Sequence, residues 1–242
     1  MQAIEIKGLT KRYKDVVAVN DLSLSVAQGE LLALLGVNGA GKTTTVKMLT
    51  CLTAPTSGDA LLLGKSIVKD RAEAKSIIAV SPQETAIAPG LSVKENLALM
   101  CGVYGFSKEV SQQKIAQVSE KMGLLSVMAK KAGKLSGGWQ RRLSIAMALI
   151  SDPEILFLDE PTLGLDVIAR SDLWDVIRAL KGSVTVVLTT HYMEEAEALS
   201  DRVAIMRDGE LLLCETPQKI KEIAQTDNFE QAFVRIVKGV AK

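Results

Sequence analysis

The sequence lacks the marks of several protein classes. It has three cysteines in 242 residues, Cys51, Cys101 and Cys214, and their spacing does not suit a metal site, so we expect buried thiols in a reducing compartment. It has no apolar run near the ~18 residues that a membrane span needs. Residues 1–8 alternate between apolar and polar types, so we expect a strand there and no secretory signal.

The chain also lacks an excess of either charge. Lys and Arg number 29 against 28 Asp and Glu, which gives a formal net charge of +1. A chain so balanced has no global positive field to hold nucleic acid or an anionic membrane surface. Hydrophobic residues make up 48%, so the composition excludes a disordered chain and fits one large domain or two small lobes.

A glycine-rich loop at residues 36–43, GVNGAGKT, has the setting that a phosphate-binding P-loop requires. A buried strand is predicted before it, over residues 31–35, and a helix after it, over residues 44–52. Backbone N–H groups can point at a phosphate, Lys42 can reach the β- and γ-phosphates, and the Thr43 hydroxyl can bind Mg²⁺. We therefore expect a nucleoside triphosphate site rather than an ordinary turn. Its predicted residues are Gly36, Asn38, Gly39, Ala40, Gly41, Lys42, Thr43 and Thr44.

Two acids follow the apolar run ILFL at residues 155–158. A buried strand places such residues at its carboxyl end, where parallel sheets bind their ligands. Asp159 would hold the Mg²⁺ shell, and Glu160 would accept a proton from an attacking water. Adjacent acids are common on any surface, but the P-loop strengthens this interpretation because its Mg²⁺ needs an acid from another strand.

A third motif, LSGGWQ at residues 135–140, precedes a predicted helix. The hydroxyl of Ser136 with Gly137 and Gly138 at a helix N-terminus predicts a second anion-binding site. No lysine and no strand accompany it, so it is not a second P-loop. In isolation, a flexible helix cap is the alternative.

These three motifs, in this order and at these separations, resemble those of an ABC ATPase, the nucleotide-binding subunit of an ABC transporter. The resemblance covers nearly the whole chain, from residue 1 to about residue 220, and the LSGG motif is highly specific to that family. It implies that two such domains pack head to tail. The P-loop of one and the LSGG motif of the other then close around one ATP with its Mg²⁺.

The resemblance also implies roles for residues outside these motifs. Tyr13 matches the aromatic residue that stacks on adenine, although it could be merely the end of a strand. Gln83 resembles the glutamine that touches Mg²⁺ and the attacking water. Asp166 resembles the residue of the loop that crosses the dimer interface. His191, the only histidine, resembles the residue that contacts the γ-phosphate; a lone histidine is otherwise usually structural. The catalytic set is thus Glu160, His191 and Gln83, and the metal set is Thr43, Gln83 and Asp159.

Two positions depart from the family pattern. Trp139 stands where the family usually has Gln or Met, and we expect its side chain to point away from phosphate. Leu163 replaces a small polar residue in the interface loop. This change puts the fine coupling between two ATP sites in doubt, and it leaves ATP binding intact.

The fold implied is α/β: a P-loop NTPase (RecA-like) core with an N-terminal antiparallel β layer and an inserted α-helical subdomain. We expect one ABC ATPase domain over residues 1–242. Its parts are the β layer and core at 1–83 and 150–220, the helical subdomain at 84–149, and a C-terminal helical tail at 221–242. In detail, we expect short strands at 16–19 and 22–26 separated by a turn, and a helix at 114–122.

The implied function is ATP hydrolysis that drives a separate membrane permease. The expected partners are a second ABC ATPase subunit, as a homodimer, and an integral membrane permease that docks around residues 83–102. No nucleic acid and no direct membrane insertion are expected, and the location is cytoplasmic, peripheral to the membrane. Segments 89–93 and 189–197 are similar to those of drug, lipid and polysaccharide exporters, which favours export. An importer ATPase, a soluble ABC ATPase on ribosomes or DNA, and a P-loop kinase are the alternatives.

Overall fold

The computed structural model describes residues 1–239. Residues 240–242, which end the predicted C-terminal tail, lie outside the described residues. In the described range the strands are β1 (Gln2–Tyr13), β2 (Val16–Ala27), β3 (Leu31–Leu35), β4 (Ser57–Leu62), β5 (Lys65–Ser66), β6 (Ile78–Ser81), β7 (Ile155–Asp159), β8 (Thr185–Thr190), β9 (Arg202–Arg207) and β10 (Glu210–Glu215).

The helices are short to medium in length. In the same range they are α1 (Lys42–Leu49), α2 (Arg71–Ser76), α3 (Val93–Val103), α4 (Lys108–Lys121), α5 (Gly137–Leu149), α6 (Val167–Arg178), α7 (Met193–Leu199), α8 (Pro217–Ile223) and α9 (Phe229–Val237). Two 3₁₀ turns, Leu125–Val127 and Ala132–Lys134, lie between α4 and α5. None of the helices built from residues 1–239 is both long and apolar enough to cross a bilayer.

The strands of residues 1–239 form two sheets. The first has the order β2-β1-β4-β5 and is antiparallel. The second has the order β10-β9-β3-β8-β7-β6, and its strands are parallel except for the β9–β10 hairpin. Strand β8 therefore lies between the strand before the P-loop, β3, and the strand that ends at Asp159, β7.

Strand β3 is buried on both faces, which explains its continuous apolar sequence. Leu31, Ala33 and Leu35 pack into one apolar core with residues of the helices α3 to α9. Leu32 and Leu34 point the other way, into a second core that the antiparallel sheet and α1 cover. The central sheet is thus sandwiched between helices and a β layer, as the fold prediction requires.

The predicted turn at Asn20 and Asp21 is wrong. Strand β2 runs unbroken past both residues, and the pairing with β1 shifts register near Leu9. Asp21 takes a left-handed conformation, with φ of 47°, and the Asn20 N–H donates to the Gly209 carbonyl, 2.8 Å away. The turn-favouring residues therefore form a bulge inside one strand.

The helix expected at 114–122 begins earlier, at Lys108. The Ser107 hydroxyl caps it by accepting a 3.3 Å hydrogen bond from the Val110 N–H. Helix α3 begins with a capping box: the Ser92 hydroxyl accepts from the Glu95 N–H, and the Glu95 carboxylate accepts from the Ser92 N–H at 2.6 Å. The domain boundaries at 83, 149 and 220 stay predictions.

Candidate functional site

The glycine-rich loop wraps tightly between three neighbouring segments. A Cβ on Gly36 would lie 2.5 Å from the Met206 carbonyl oxygen of β9, so only glycine fits there. Gly41 has φ of 99°, and its Cβ would lie 2.6 Å from the Ala18 carbonyl oxygen of β2. The Gly209 N–H donates to the Ala40 carbonyl at 3.2 Å. The backbone packing therefore fixes the shape of the loop.

Helix α1 begins directly after this loop without a side-chain cap. Gly41 is its N-cap residue and offers no side chain to accept from the first N–H groups of the helix. Thr43 is exposed and Thr44 half-buried in that first turn. Free N–H groups and the positive end of the helix dipole make this terminus an anion-binding site.

The Lys42 ammonium folds back over the loop. Its Nζ donates to the carbonyls of Gly36, at 2.7 Å, and Val37, at 3.3 Å. Burial lowers the pKa of Lys42, and the nearby carboxylates of Glu160 and Asp159 partly oppose that fall. The amine is thus held inside the loop, facing the two acids.

Thr189 on β8 holds the two acids at the end of β7. Its hydroxyl donates to Asp159 Oδ1 at 2.5 Å and accepts from the Glu160 N–H at 3.0 Å. Asp159 and Thr189 are register partners in the sheet, so the contact follows from strand pairing. Glu160 then takes a left-handed conformation, with φ of 47°, which strains a residue other than glycine.

His191 meets Glu160 across the gap between β7 and β8. Its Nδ1 lies 2.6 Å from Glu160 Oε2, although the N–H direction is too far from that line for an aligned hydrogen bond. The two rings of His191 and Tyr192 lie 4.2 Å apart and tilted, which limits rotation of the imidazole. The side chains of His191 and Glu160 are both partly buried.

The loop, Glu160 and His191 line one cavity of about 770 Å³, a size typical of ligand pockets. Asp159 lies directly before Glu160 and does not line the cavity itself. Gln83 lines it too, which brings all three predicted catalytic residues together. The lining also includes Val16, Val17, Ala18, Leu163 and Asp208. Of these, Asp208 belongs to the β9–β10 turn, and no pattern in the sequence indicates that this turn reaches the P-loop.

Tyr13 lies at the edge of this site. It ends β1, is partly exposed, and is the register partner of the cavity residue Val16. Lys11 Nζ lies 4.9 Å from the centre of its ring. The ring is therefore accessible beside the cavity, and its contact with a nucleotide base stays a prediction.

The residues Ser136, Gly137 and Gly138 lie apart from the P-loop cavity. Ser136 and Gly138 line a small cavity of about 60 Å³ with Trp139 and Arg142. Ser136 precedes α5 as its N-cap and makes no capping hydrogen bond with its side chain. The two predicted anion sites are thus separate within one chain.

Asp166 begins α6 next to this second site. Its Oδ1 accepts from the Ala169 N–H at 2.9 Å, so it caps the helix. A Cβ on Gly138 would lie 3.1 Å from Ala169 Cβ, which is why α5 and α6 can approach here. Val167 and Ile168, which follow Asp166, are highly exposed.

Glu195 on α7 is a buried acid that sequence reasoning did not single out. Burial raises the pKa of its carboxyl, and the hydroxyls of Thr190 and Thr162 and the Trp174 indole partly oppose the rise. The indole N–H donates to Oε1 at 3.3 Å, but Oε2 has no aligned donor among the described residues.

The comparisons with known proteins agree with this geometry. The family model described as ABC transporter matches residues 19–163. A second model, described as "AAA domain, putative AbiEii toxin, Type IV TA system", matches the shorter segment 131–196.

Two curated relatives match nearly the whole chain. "Probable multidrug ABC transporter ATP-binding protein YbhF" of Escherichia coli is 38% identical over 240 residues, which cover 97% of this chain and 41% of YbhF. "Doxorubicin resistance ATP-binding protein DrrA" of Mycobacterium tuberculosis is 38% identical over 241 residues, which cover 98% of this chain and 72% of DrrA. The chain thus spans less than half the length of YbhF.

A solved structure shares the fold. It is titled "Dimeric structure of a post-hydrolysis state of the ATP-binding cassette MJ0796 bound to ADP and Pi". It matches with a TM-score of 0.76 and 28% identity, over 88% of this chain and 98% of that one.

Proposed function

Since the chain belongs to the ABC transporter family, we propose that it binds and hydrolyses ATP, as one of two facing copies, to drive a separate membrane-spanning permease in export. One observation carries the proposal. A single cavity brings together the glycine loop with Lys42, the Glu160–His191 pair and Gln83. The chain supplies these groups from four separate segments.

The chemistry of that cavity suits phosphate-anhydride hydrolysis. The first turn of α1 and Lys42 would bind the phosphate oxygens and neutralise their charge. Glu160 would orient a water and accept its proton, because it lines the cavity and its main-chain N–H is fixed by a hydrogen bond to the Thr189 hydroxyl. His191, in contact with Glu160, would contact the terminal phosphate.

The residues present fit a Mg²⁺ ion bound with ATP. Asp159, the Thr43 hydroxyl and the Gln83 amide offer oxygen ligands, the type that Mg²⁺ prefers. Residues 1–239 contain no cluster of three or more His, Cys, Asp or Glu side chains that could hold a metal alone. A site completed by phosphates needs no such cluster, and the ion would supply charge neutralisation of the phosphates.

The separation of the two anion sites supports a two-chain assembly. Ser136, Gly137 and Gly138 do not line the P-loop cavity of their own chain. A second copy, packed head to tail, would bring them to it. The likeness to a cassette whose title describes a dimer with ADP and Pi adds to this support.

A groove beside Gln83 suits the permease. A cavity of about 380 Å³ lies between β6, the segment that follows α1, and the helices α3 and α5. It is lined by residues that include Leu52, Pro82, Met100 and Tyr104. Leu52 is 69% exposed, and Val103 next to this rim is 70% exposed. An apolar groove of this kind suits a short helix of a membrane partner, and Pro82 links it directly to Gln83. Through such a partner, the chain would sit at the cytoplasmic face of the membrane.

The names of the relatives support export. One is named a multidrug transporter protein and the other a doxorubicin resistance protein.

The test is to co-express the chain with its neighbouring membrane subunit and to prepare inside-out vesicles. With ATP outside, doxorubicin as the first probe should accumulate inside the vesicles. Accumulation in right-side-out vesicles that contain ATP instead would indicate an importer. ATP hydrolysis that requires a small-molecule acceptor would indicate a kinase.

A further inference from the structure

We propose that Arg141 is a positioning residue for Gln83. Its guanidinium would hold the main chain at Pro82 and Gln83 so that the Gln83 side chain stays in the ATP cavity. The same contact would tie that segment to α5, the helix that begins at the LSGG motif. This inference rests on the proposed function, because Gln83 is assigned to ATP hydrolysis there.

The contact is direct and involves two consecutive carbonyls. Arg141 Nη1 donates to the Pro82 carbonyl at 2.6 Å, and Nη2 donates to the Gln83 carbonyl. One turn further along α5, the Ser144 and Ser81 hydroxyls lie 3.1 Å apart in the interior. Helix α5 is therefore joined by polar contacts to the end of β6 and to the two residues after it.

Arg141 is buried, and burial of its guanidinium charge costs free energy of folding. The residue is 5% exposed, and burial lowers the pKa of its guanidinium, while Asp159 and Glu195 partly oppose that fall. A buried charge is tolerated when hydrogen bonds satisfy it. Here those bonds go to the main chain of one loop, and the planar fork of an arginine can reach two carbonyls at once.

The position of Arg141 links the two predicted anion sites of one chain. Arg141 lies one helical turn after Gly137, the first residue of α5. Gln83 is exposed in the cavity that holds Lys42 and Glu160. A shift of Gln83 toward a bound phosphate would therefore pull on α5, and a shift of α5 would move Gln83.

The test uses Arg141→Met, which leaves both carbonyls without their donor, and Arg141→Lys, which keeps the charge and can reach one carbonyl. Arg235, which is exposed, provides a control matched in the type of contact. It also donates to two consecutive carbonyls, those of Ala224 and Gln225, at 2.8 and 2.9 Å, but lies on α9 away from the cavity. Arg235→Met and Arg235→Lys therefore remove the same type of contact elsewhere.

We expect Arg141→Met to lower kcat for ATP hydrolysis roughly 10- to 100-fold, since a small misplacement of a reacting group has effects of this size. The dissociation constant for ATP should change less than about twofold, because the loop and Lys42 remain. Arg141→Lys should recover part of the loss. The Arg235 variants should keep the wild-type kcat.

A double-variant cycle separates positioning from general damage. If Arg141 acts through the Gln83 side chain, Arg141→Met should lower kcat no further in a Gln83→Ala background. The inference is overturned if the two losses multiply, or if Arg141→Met and Arg141→Lys behave like their Arg235 counterparts.

Hydrogen–deuterium exchange distinguishes failure of this inference from failure of the proposed function. In the segment 78–88, the hydrogen-bonded amides are those of β6 and that of Ala88, and they should exchange faster in Arg141→Met and in Arg141→Lys than in either Arg235 variant. This expected difference in exchange does not depend on whether the wild-type chain hydrolyses ATP. Unchanged exchange in that segment would overturn the positioning role, whereas a wild-type chain without ATPase activity would overturn the proposed function alone.

Discussion

His191 Nδ1 lies 2.6 Å from Glu160 Oε2. The two residues are 31 positions apart in the sequence, yet each comes directly after the last residue of a strand, β7 for Glu160 and β8 for His191. Because β7 and β8 are parallel neighbours, their carboxyl ends meet at one edge of the sheet. This pair therefore places a candidate general base against a candidate phosphate contact.

We expect Glu160→Gln to bind ATP with near wild-type affinity and to hydrolyse it about 10²- to 10⁴-fold more slowly. The amide keeps the shape of the side chain but cannot accept a proton from water. Equilibrium ATP binding and single-turnover phosphate release measure the two effects. Glu154→Gln, at an exposed position before β7, is the control. Full turnover in Glu160→Gln would remove this residue from the base role.

Lys42→Met should weaken ATP binding by about 1.5–3 kcal/mol, or roughly 10- to 150-fold, because a charge-assisted contact to phosphate is lost. Calorimetry of ATP binding measures it, with Lys47→Met on the exposed face of α1 as the control. An equal loss of ATP affinity in Lys42→Met and Lys47→Met would show that the charge acts generally and not through a contact to phosphate.

Lys42→Met should also be at least as stable as the wild type near neutral pH. Burial lowers the pKa of Lys42 below its ordinary value of 10.5, so keeping the charge in the folded chain costs stability. This cost is full below the lowered pKa and is relieved as the pH rises toward 10.5. Urea unfolding at increasing pH should show the advantage of the variant shrinking.

Thr189→Val keeps the shape of a buried side chain but removes the hydroxyl that binds Asp159 and the Glu160 N–H. We expect a loss of roughly 1–3 kcal/mol in the free energy of unfolding and a higher Mg²⁺ concentration for half-maximal ATP hydrolysis. Thr185→Val, at the other end of β8, is the matched control, because it also loses a hydrogen bond, the one from the Gly29 N–H. Thr185→Val should lower stability without changing the Mg²⁺ concentration for half-maximal ATP hydrolysis. A shift of that concentration in both variants would contradict this role for Thr189.

Glu95→Gln should reduce stability in a pH-dependent way. The Ser92 N–H and hydroxyl, with Lys131, lower the pKa of Glu95 from 4.5 to about 2. A lowered pKa contributes stability above pH 4.5, and this contribution is lost as the pH falls toward 2. The difference between wild type and variant in urea unfolding should therefore be largest near neutral pH and shrink on acidification. Glu120→Gln, exposed on α4, is the control, and a difference independent of pH would contradict the expectation.

The local motifs were predictable from sequence because their chemistry is local. The loop at residues 36–43 needs glycine at certain positions, because a Cβ on Gly36 or Gly41 would clash with a neighbouring main-chain carbonyl. The cap at Ser92 and Glu95 likewise involves residues three apart. Short-range sterics and hydrogen bonds decide these features, so residue type and spacing are sufficient.

Local propensity failed where tertiary contacts outweighed it. Asn20 and Asp21 favour a turn, yet the pairing of β2 along β1 and the bond from Asn20 to the Gly209 carbonyl keep the strand continuous. A strand of twelve residues gains many ladder hydrogen bonds, whereas a turn at this place would lose them. The preference of two residues was too small to decide the outcome.

The P-loop, the acid pair after β7 and the second glycine motif can be recognised from residue type and spacing, because each is a continuous segment with its own chemistry. Long-range packing places β8 between β3 and β7, so that Thr189 holds Asp159 and His191 reaches Glu160. It also decided that the Arg141 guanidinium reaches the Pro82 and Gln83 carbonyls. The order of strands in a parallel sheet is set by how distant apolar surfaces pack, and no spacing along the chain encodes that packing.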